Sequence, residues 1–175
     1  MRFDHVRIPS RYLLVDTPAY EAALNSMLAL TNAVMGAVFT GVARAAYEEA
    51  RTYIKTRIQG NKPLCEHQLV RRRLFDMFAK IQARRALSRA AVIAATGQSP
   101  PLIELSIAAK VFSTQNAFEV ADRAVQLLGG KGLTRGCLIE KLFRDTRAAL
   151  IEDGSNDILA LVGARKILCD PPLDA

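Results

Sequence analysis

QLLGGKGLTRGCLIEKLFRDTRAALIEDGSNDI, residues Gln126–Ile158, is the stretch from which the rest of the chain can be read. It begins at the end of an apolar-periodic helix and passes at once into Gly129-Gly130-Lys131-Gly132, where a glycine can take the left-handed conformation that closes a helix. From Leu138 to Leu150 an amphipathic segment follows, with Leu138, Leu142 and Phe143 at helical spacing. It closes on Glu152-Asp153-Gly154-Ser155-Asn156: two carboxylates, a glycine and a serine suited to cap the next helix. Local physics therefore predicts a helix stop, a connector, a short helix and a new helix start.

Outward from this stretch the chain is helical. Thr17-Pro18 offers an N-cap and a proline at the first helical position, and helical character runs from there to about Arg57 without an internal proline. Gly36 and Gly41 weaken that helix and are expected to mark close helix contacts. Gly60, Asn61 and Pro63 break the chain within Gln59–Leu64. A second helix is predicted over Glu66–Thr96. After the break at Gly97-Gln98-Ser99-Pro100-Pro101 come a third over Leu102–Leu128 and, past the short helix, a last one over Ser155–Leu168. Residues 1–16 read as a short extended arm and 169–175 as a frayed tail. Strand-type alternation is absent beyond the arm, and no repeat or linker divides residues 17–168. The predicted fold class is all-α, an antiparallel up-and-down helical bundle with short connections.

Composition agrees. The 175 residues are 50% hydrophobic and 6% aromatic, rich in alanine and without tryptophan, which favours closely packed helices in one domain. The formal charge of +7 falls largely on the second helix, at Arg71, Arg72, Arg73, Lys80, Arg84, Arg85 and Arg89. This is expected to be a solvated face. Nucleic acid is not expected as a partner, because no aromatic platform or base-reading motif accompanies the charge. Cys65, Cys137 and Cys169 have no paired spacing, so reduced thiols and a cytoplasmic setting are expected, with no metal site. The N-terminal MRFDHVRIP lacks the apolar core of a signal peptide. Ala22–Ala43 carries no charge and is long enough to span a bilayer. Its Asn25, Ser26, Thr31, Asn32 and Thr40, and its scarcity of leucine and isoleucine, favour instead a helix buried within a homodimer or homotetramer.

Three ordered blocks resemble the C-terminal domain of the flavin-dependent acyl-CoA dehydrogenases. The first is Gln126-Leu127-Leu128-Gly129-Gly130-Lys131-Gly132, then Arg144-Asp145, then Asp153-Gly154-Ser155-Asn156. The second is Arg57-Ile58-Gln59-Gly60-Asn61-Lys62-Pro63 with Glu66-His67-Gln68. The third is Phe3-Asp4-His5-Val6-Arg7-Ile8-Pro9, which is similar to the strand and linker leaving that family's β-domain. The resemblance covers nearly the whole chain and implies residues 1–16 as linker, 17–168 as helical bundle and 169–175 as tail. The family's N-terminal helical domain and β-domain lie outside it.

Each chemical role that the resemblance implies has a plain structural counterpart. Glu152 and Asp153, ahead of a helix, are favourable charges against its dipole. In the family, a carboxylate at the position of Asp153 removes the α-proton of an acyl-CoA thioester while a β-hydrogen leaves as hydride to FAD, and the backbone N–H of the same residue polarises the carbonyl. Aspartate is one methylene shorter than the family's usual glutamate, a reach deficit of about 1 Å. Either the backbone comes nearer, or Glu152 serves, or another position supplies the base. Some relatives of that family place the base on the first helix of this domain, a route closed here because Asn25–Met35 contains no acid and no arginine. Gln126, Gly129, Gly130, Arg57 and Gln68 would contact FAD held mainly by a neighbouring subunit. Ser155, Asn156 and Asp157 match the family stretch that contacts FAD, with Gly154 beside the substrate. His67 is expected to be structural. Two function classes follow. One is the domain of an enzyme oxidising acyl-CoA at Cα–Cβ, whether dehydrogenase or oxidase. The other is a non-catalytic helical module that assembles with a separate flavin-binding chain or binds nucleic acid.

Overall fold

The computed structural model describes residues 2–15, 19–97 and 100–169. Five α-helices account for most of them: α1 Tyr20–Thr56, α2 Gln68–Gly97, α3 Ile103–Leu128, α4 Leu138–Ala148 and α5 Asn156–Cys169. The expected cap at Thr17-Pro18, the middle of the break before α3 and the end of the tail lie outside the described residues. The arm is not wholly extended, since Ser10–Tyr12 forms a turn of 3-10 helix.

One piece of sheet joins the helices. β1 (Ile58–Gln59) pairs antiparallel with β2 (Lys62–Pro63) across Gly60-Asn61. Both turn residues have positive φ, 62° and 61°. That is the backbone of the tight turn whose twist matches paired strands, and Gly and Asn adopt it most cheaply. The two breakers of the sequence thus build a hairpin rather than an irregular loop. His67 holds it, with a ring nitrogen 2.9 Å from the Gln59 carbonyl oxygen.

α3 packs against all four other helices. The main core joins Phe39, Ala46 and Ile54 of α1 to Met77 and Ile81 of α2, Val120 and Leu127 of α3, and Ile139 and Leu142 of α4. Each larger aliphatic side chain so buried contributes about 1.5–3 kcal/mol. α1 is long and apolar enough, by length and composition alone, to cross a membrane. Its buried residues nevertheless run from Ala29 to Ile54 along one face of the bundle. The opposite face leaves Met27, Leu28, Leu30, Val34 and Val38 exposed.

The basic residues of α2 are not one solvated face. Arg84 is fully buried, because it shares the stripe of Met77, Ile81, Ser88 and Ala91. Its Nη1 donates to the Ser113 carbonyl oxygen at 3.4 Å, while Nε and Nη2 find no acceptor. Burial pulls its guanidinium down to about 10. Lys80 turns toward α3 and pairs with Glu119 and Asn116, and Arg123 of α3 pairs with Asp76.

The two glycines of α1 differ. At Gly36 an added Cβ would stand 3.0 Å from the Ala109 carbonyl oxygen and 3.1 Å from Ser88 Oγ, so the glycine marks the point where α1, α2 and α3 meet. At Gly41 nothing lies within 4 Å, and the expectation of a close contact there is corrected. Chemical denaturation should separate them. Gly36→Ala should destabilise by about 1–3 kcal/mol through overpacking against backbone. Gly41→Ala should be neutral or stabilising by up to about 1 kcal/mol, as helix propensity dictates. Equal destabilisation by both would contradict this packing.

Candidate functional site

The chemistry-bearing residues form two groups, one at the C-terminal end of α3 and one beside Lys110 and Thr114 in its N-terminal half. At its C-terminal end Gly129 adopts φ 62°, ψ −146°, and its N–H returns to the Val125 carbonyl oxygen. The chain continues as 3-10 helix over Gly129–Leu133. Gly132 is packed against the last turn of α3, where a Cβ would meet Val125 Cα at 3.1 Å. Gly129 and Gly130, by contrast, face open space, with nothing within 4 Å of where a Cβ would stand.

That open backbone borders a cavity of about 1000 Å³ that also takes in Tyr53, Arg57, His67, Arg73, Gln126 and Lys131. Lys131 Nζ lies 5.0 Å over the Tyr53 ring. The hairpin makes this gathering possible, since it returns the chain so that the end of α1 and the start of α2 meet the end of α3. Arg57, Gln126, Gly129 and Gly130 all line this cavity. Gln68 is exposed at the first turn of α2 and is not among the residues lining the cavity; its neighbour His67 is. Three cations around an unobstructed glycine backbone make a cradle for a polyanion, with charge-assisted donors on several sides. These residues fit the diphosphate of a dinucleotide.

The second group is the connector from α4 to α5. Asp153 has φ 52° and Gly154 φ 98°. A Cβ at Gly154 would also stand 3.1 Å from Leu159 Cγ, a tight contact that adds to the preference for glycine at this positive φ. Asp153 tolerates the left-handed region better than most residues do. Its carboxylate and that of Glu152 are exposed. Among the described residues the N–H groups of Asp153, Gly154 and Ser155 have no backbone acceptor, whereas the Asn156 N–H is 3.0 Å from the Leu150 carbonyl oxygen. Ser155 sits at the cap position, its carbonyl accepting from the Leu159 N–H at 2.9 Å. Asn156 faces inward and Asp157 outward in the first turn of α5. The Arg144-Asp145 pair is taken up on α4 itself: Arg144 chelates Glu140 at 2.6 and 3.3 Å, and Asp145 pairs with Lys141. Hydrogen bonding from Arg144 holds the Glu140 carboxyl below its ordinary range.

Sequence reasoning missed Lys110. This fully buried lysine of α3 donates to the carbonyl oxygens of Ala149 at 3.2 Å and Gly154 at 2.7 Å, and to Asn156 Oδ1 at 2.9 Å. Asn156 Nδ2 in turn donates to Thr114 Oγ1 at 3.0 Å. Burial lowers the Lys110 ammonium from its ordinary value, against the opposing pull of the Asp153 and Glu152 carboxylates. The available signal was the run Ser106, Lys110, Ser113, Thr114, which places polar side chains on the stripe shared with Ala117 and Ala121. Polar residues there imply internal partners.

A helical bundle carrying an anion cradle at the C-terminal end of its central helix and a carboxylate connector tied to that helix at Lys110 defines the class. The chain belongs to the acyl-CoA dehydrogenase family as its C-terminal domain, which matches residues 21–168. It is 31% identical over 169 residues to cyclohexane-1-carbonyl-CoA dehydrogenase of Geobacter metallireducens, covering 96% of this chain and 44% of that protein. It is 35% identical over 147 residues to 3-sulfinopropanoyl-CoA desulfinase of Advenella mimigardefordensis, covering 84% and 36%. In structure it is similar to butyryl-CoA dehydrogenase of Megasphaera elsdenii, with TM-score 0.84 and 29% identity over 95% of this chain and 43% of the other. The chain thus spans less than half the length of these proteins.

The cradle can be tested without a cofactor. Inorganic pyrophosphate added to ¹⁵N-labelled protein should shift the Gly129, Gly130 and Lys131 amides. Arg57→Met should weaken this at least several-fold, and added salt should weaken it further. Shifts spread over all the basic residues of α2 instead would assign the effect to general charge.

Proposed function

We propose that this chain supplies the catalytic carboxylate and part of the nucleotide site of an FAD-dependent enzyme that oxidises acyl-CoA thioesters at Cα–Cβ. The observation carrying this is the connector. It presents a carboxylate, Asp153, beside adjacent backbone N–H groups without backbone acceptors, on a loop tied to the central helix. In this reading the Asp153 carboxylate takes the α-proton. The Asp153 N–H donates to the thioester oxygen as charge develops there, which is the arrangement that makes an α-proton removable. Gly154 lets the acyl chain approach the backbone. FAD, when bound, supplies the acceptor for the hydride that leaves Cβ. Arg57, Gln126, Gly129, Gly130 and Lys131 would hold its diphosphate.

Two points bound the assignment. The relatives' names cover both an oxidation and a desulfination, so membership of the family does not choose the reaction, and oxidation rests on the proposed role of Asp153. The reaction at Cα–Cβ is the same whether electrons then pass to a carrier protein or to oxygen, so an oxidase would use these residues identically. Asp153 and Glu152 are exposed in this chain. The water exclusion that a carboxylate base needs must come from chain segments packed over the connector.

The geometry also supports assembly. Lys110 and Gln126 are sixteen positions apart on α3, about 24 Å at 1.5 Å per residue. That exceeds the distance from a flavin's reacting ring to its own diphosphate. The two ends of one chain would then serve two different FAD molecules, which requires at least two copies. The exposed apolar face of α1 offers a surface for such contacts.

The isolated chain should purify without bound flavin, because the cradle reaches only the diphosphate end. Joined to the β-domain and N-terminal domain of a relative, it should reduce flavin with acyl-CoA. Asp153→Asn should then slow that step by about 10²–10⁴-fold with little change in binding. Asp153→Glu should retain or raise the rate, and Glu152→Gln should leave it unchanged. Loss of reduction in Glu152→Gln but not in Asp153→Asn would move the base by one residue, and indifference to both would leave a non-catalytic module.

A further inference from the structure

We propose that Lys110 is a positioning residue for the chemistry at Asp153. Its buried ammonium fixes the α4–α5 connector, and with it the directions in which the Asp153 carboxylate and the neighbouring N–H groups point. The inference rests on the reading of Asp153 as the α-proton base.

An ammonium has three N–H donors, and in this site each has one acceptor: the Ala149 carbonyl at the end of α4, the Gly154 carbonyl in the connector and Asn156 Oδ1 at the start of α5. A single fully buried point on α3 therefore holds the beginning, middle and end of the loop. Asn156 is itself oriented, since Nδ2 donates to Thr114 one turn along α3, which turns Oδ1 toward Lys110. All three acceptors are neutral. No carboxylate touches the cation, and Glu152 and Asp153 act on it only through their field.

A buried cation held by neutral acceptors is a costly way to secure a loop, and an apolar packing residue would often serve stability as well or better. What a lysine adds is directional. Pinning the Gly154 carbonyl inward sends the Ser155 N–H outward across the same trans peptide. It also keeps Asp153 at φ 52°, a conformation that costs a residue with a Cβ and persists only where its surroundings impose it. Without Lys110 the connector keeps one backbone bond across it, from the Asn156 N–H to the Leu150 carbonyl. The Asp153 side chain then loses its fixed aim.

The test uses Lys110→Met, Lys110→Arg and Asn156→Leu in the full chain and in the same chain joined to a relative's remaining domains. In Lys110→Met the amide resonances of α1, α2 and the C-terminal half of α3 should stay in place, while those of residues 150–156 broaden or move toward disordered positions. With the other domains present, kcat should fall about 10- to 100-fold, the scale expected for a misplaced catalytic group, with KM little changed. Lys110→Arg should recover part of both signals, because a guanidinium can still reach two of the acceptors. Unchanged connector resonances and kcat in Lys110→Met would overturn the proposal, as would a kcat that merely tracks the folded fraction. If Lys110→Met does not fold, Asn156→Leu must give the same pattern at smaller amplitude, and its failure to do so also overturns the proposal. If Asp153→Asn is silent while Lys110→Met still disorders the connector, the base assignment fails. The catalytic consequence of the clamp fails with it, and the surviving structural signature tells that case from the others.

Discussion

The buried stripe of α3 organises the molecule. It packs against α1, α2, α4 and α5, so each polar side chain on that stripe must find a partner inside the protein or bear the cost of going without. Thr114 returns to its own helix at 2.9 Å, and Asn116 does the same at 2.8 Å. Ser113 meets Ser88 of α2 at 3.1 Å. Lys110 has no partner on its own helix and takes those of the connector. The connector is therefore held by the core rather than by its own sequence, and the two chemical ends of the chain are spaced by one rigid helix.

Small residues make that burial possible. Ala33, Gly36, Ala43, Ala46 and Ala50 of α1 let its backbone lie close to α3, so the helices meet through dispersion between near-touching backbones more than through large side chains. One cation among the described residues is poorly satisfied. Arg84 occupies a stripe where its neighbours are Met77, Ile81 and Ser88, and two of its donors have no acceptor. A cation in that position costs stability, and nothing else in the described bundle offsets it directly.

Most of the fold was legible in the sequence because helix ends announce themselves locally. Gly129 closes α3 with positive φ, as its position after an apolar run implies, and the expected bounds of all five helices fall within a few residues of those observed. The site was only partly legible. Arg57, Gln126, Gly129 and Gly130, read from separate motifs, line one cavity, and Gln68 does not. Lys110 and Arg84 were invisible as buried residues, since composition assigns lysine and arginine to solvent. Only helical phase, counted against the neighbouring alanines and serines, puts them inside. The Gly60-Asn61 hairpin was hidden for a related reason. Two-residue strands carry no alternation to read, so only the turn residues betray them.

The separation along α3 leads to the central functional claim, that the Asp153 end and the Arg57 end of one chain serve different active sites in an assembly. Subunit mixing tests it most directly. Chains joined to the remaining domains and carrying either Asp153→Asn or Arg57→Met should each be deficient alone. After mixing and reassembly, each hybrid pair would contain one site with both defects and one with neither, so activity should return to roughly a quarter of the unaltered level under random pairing of two-fold partners. No recovery from mixtures shown to contain hybrids would mean that both ends of a chain serve the same site, and would contradict the division of α3 between two flavins.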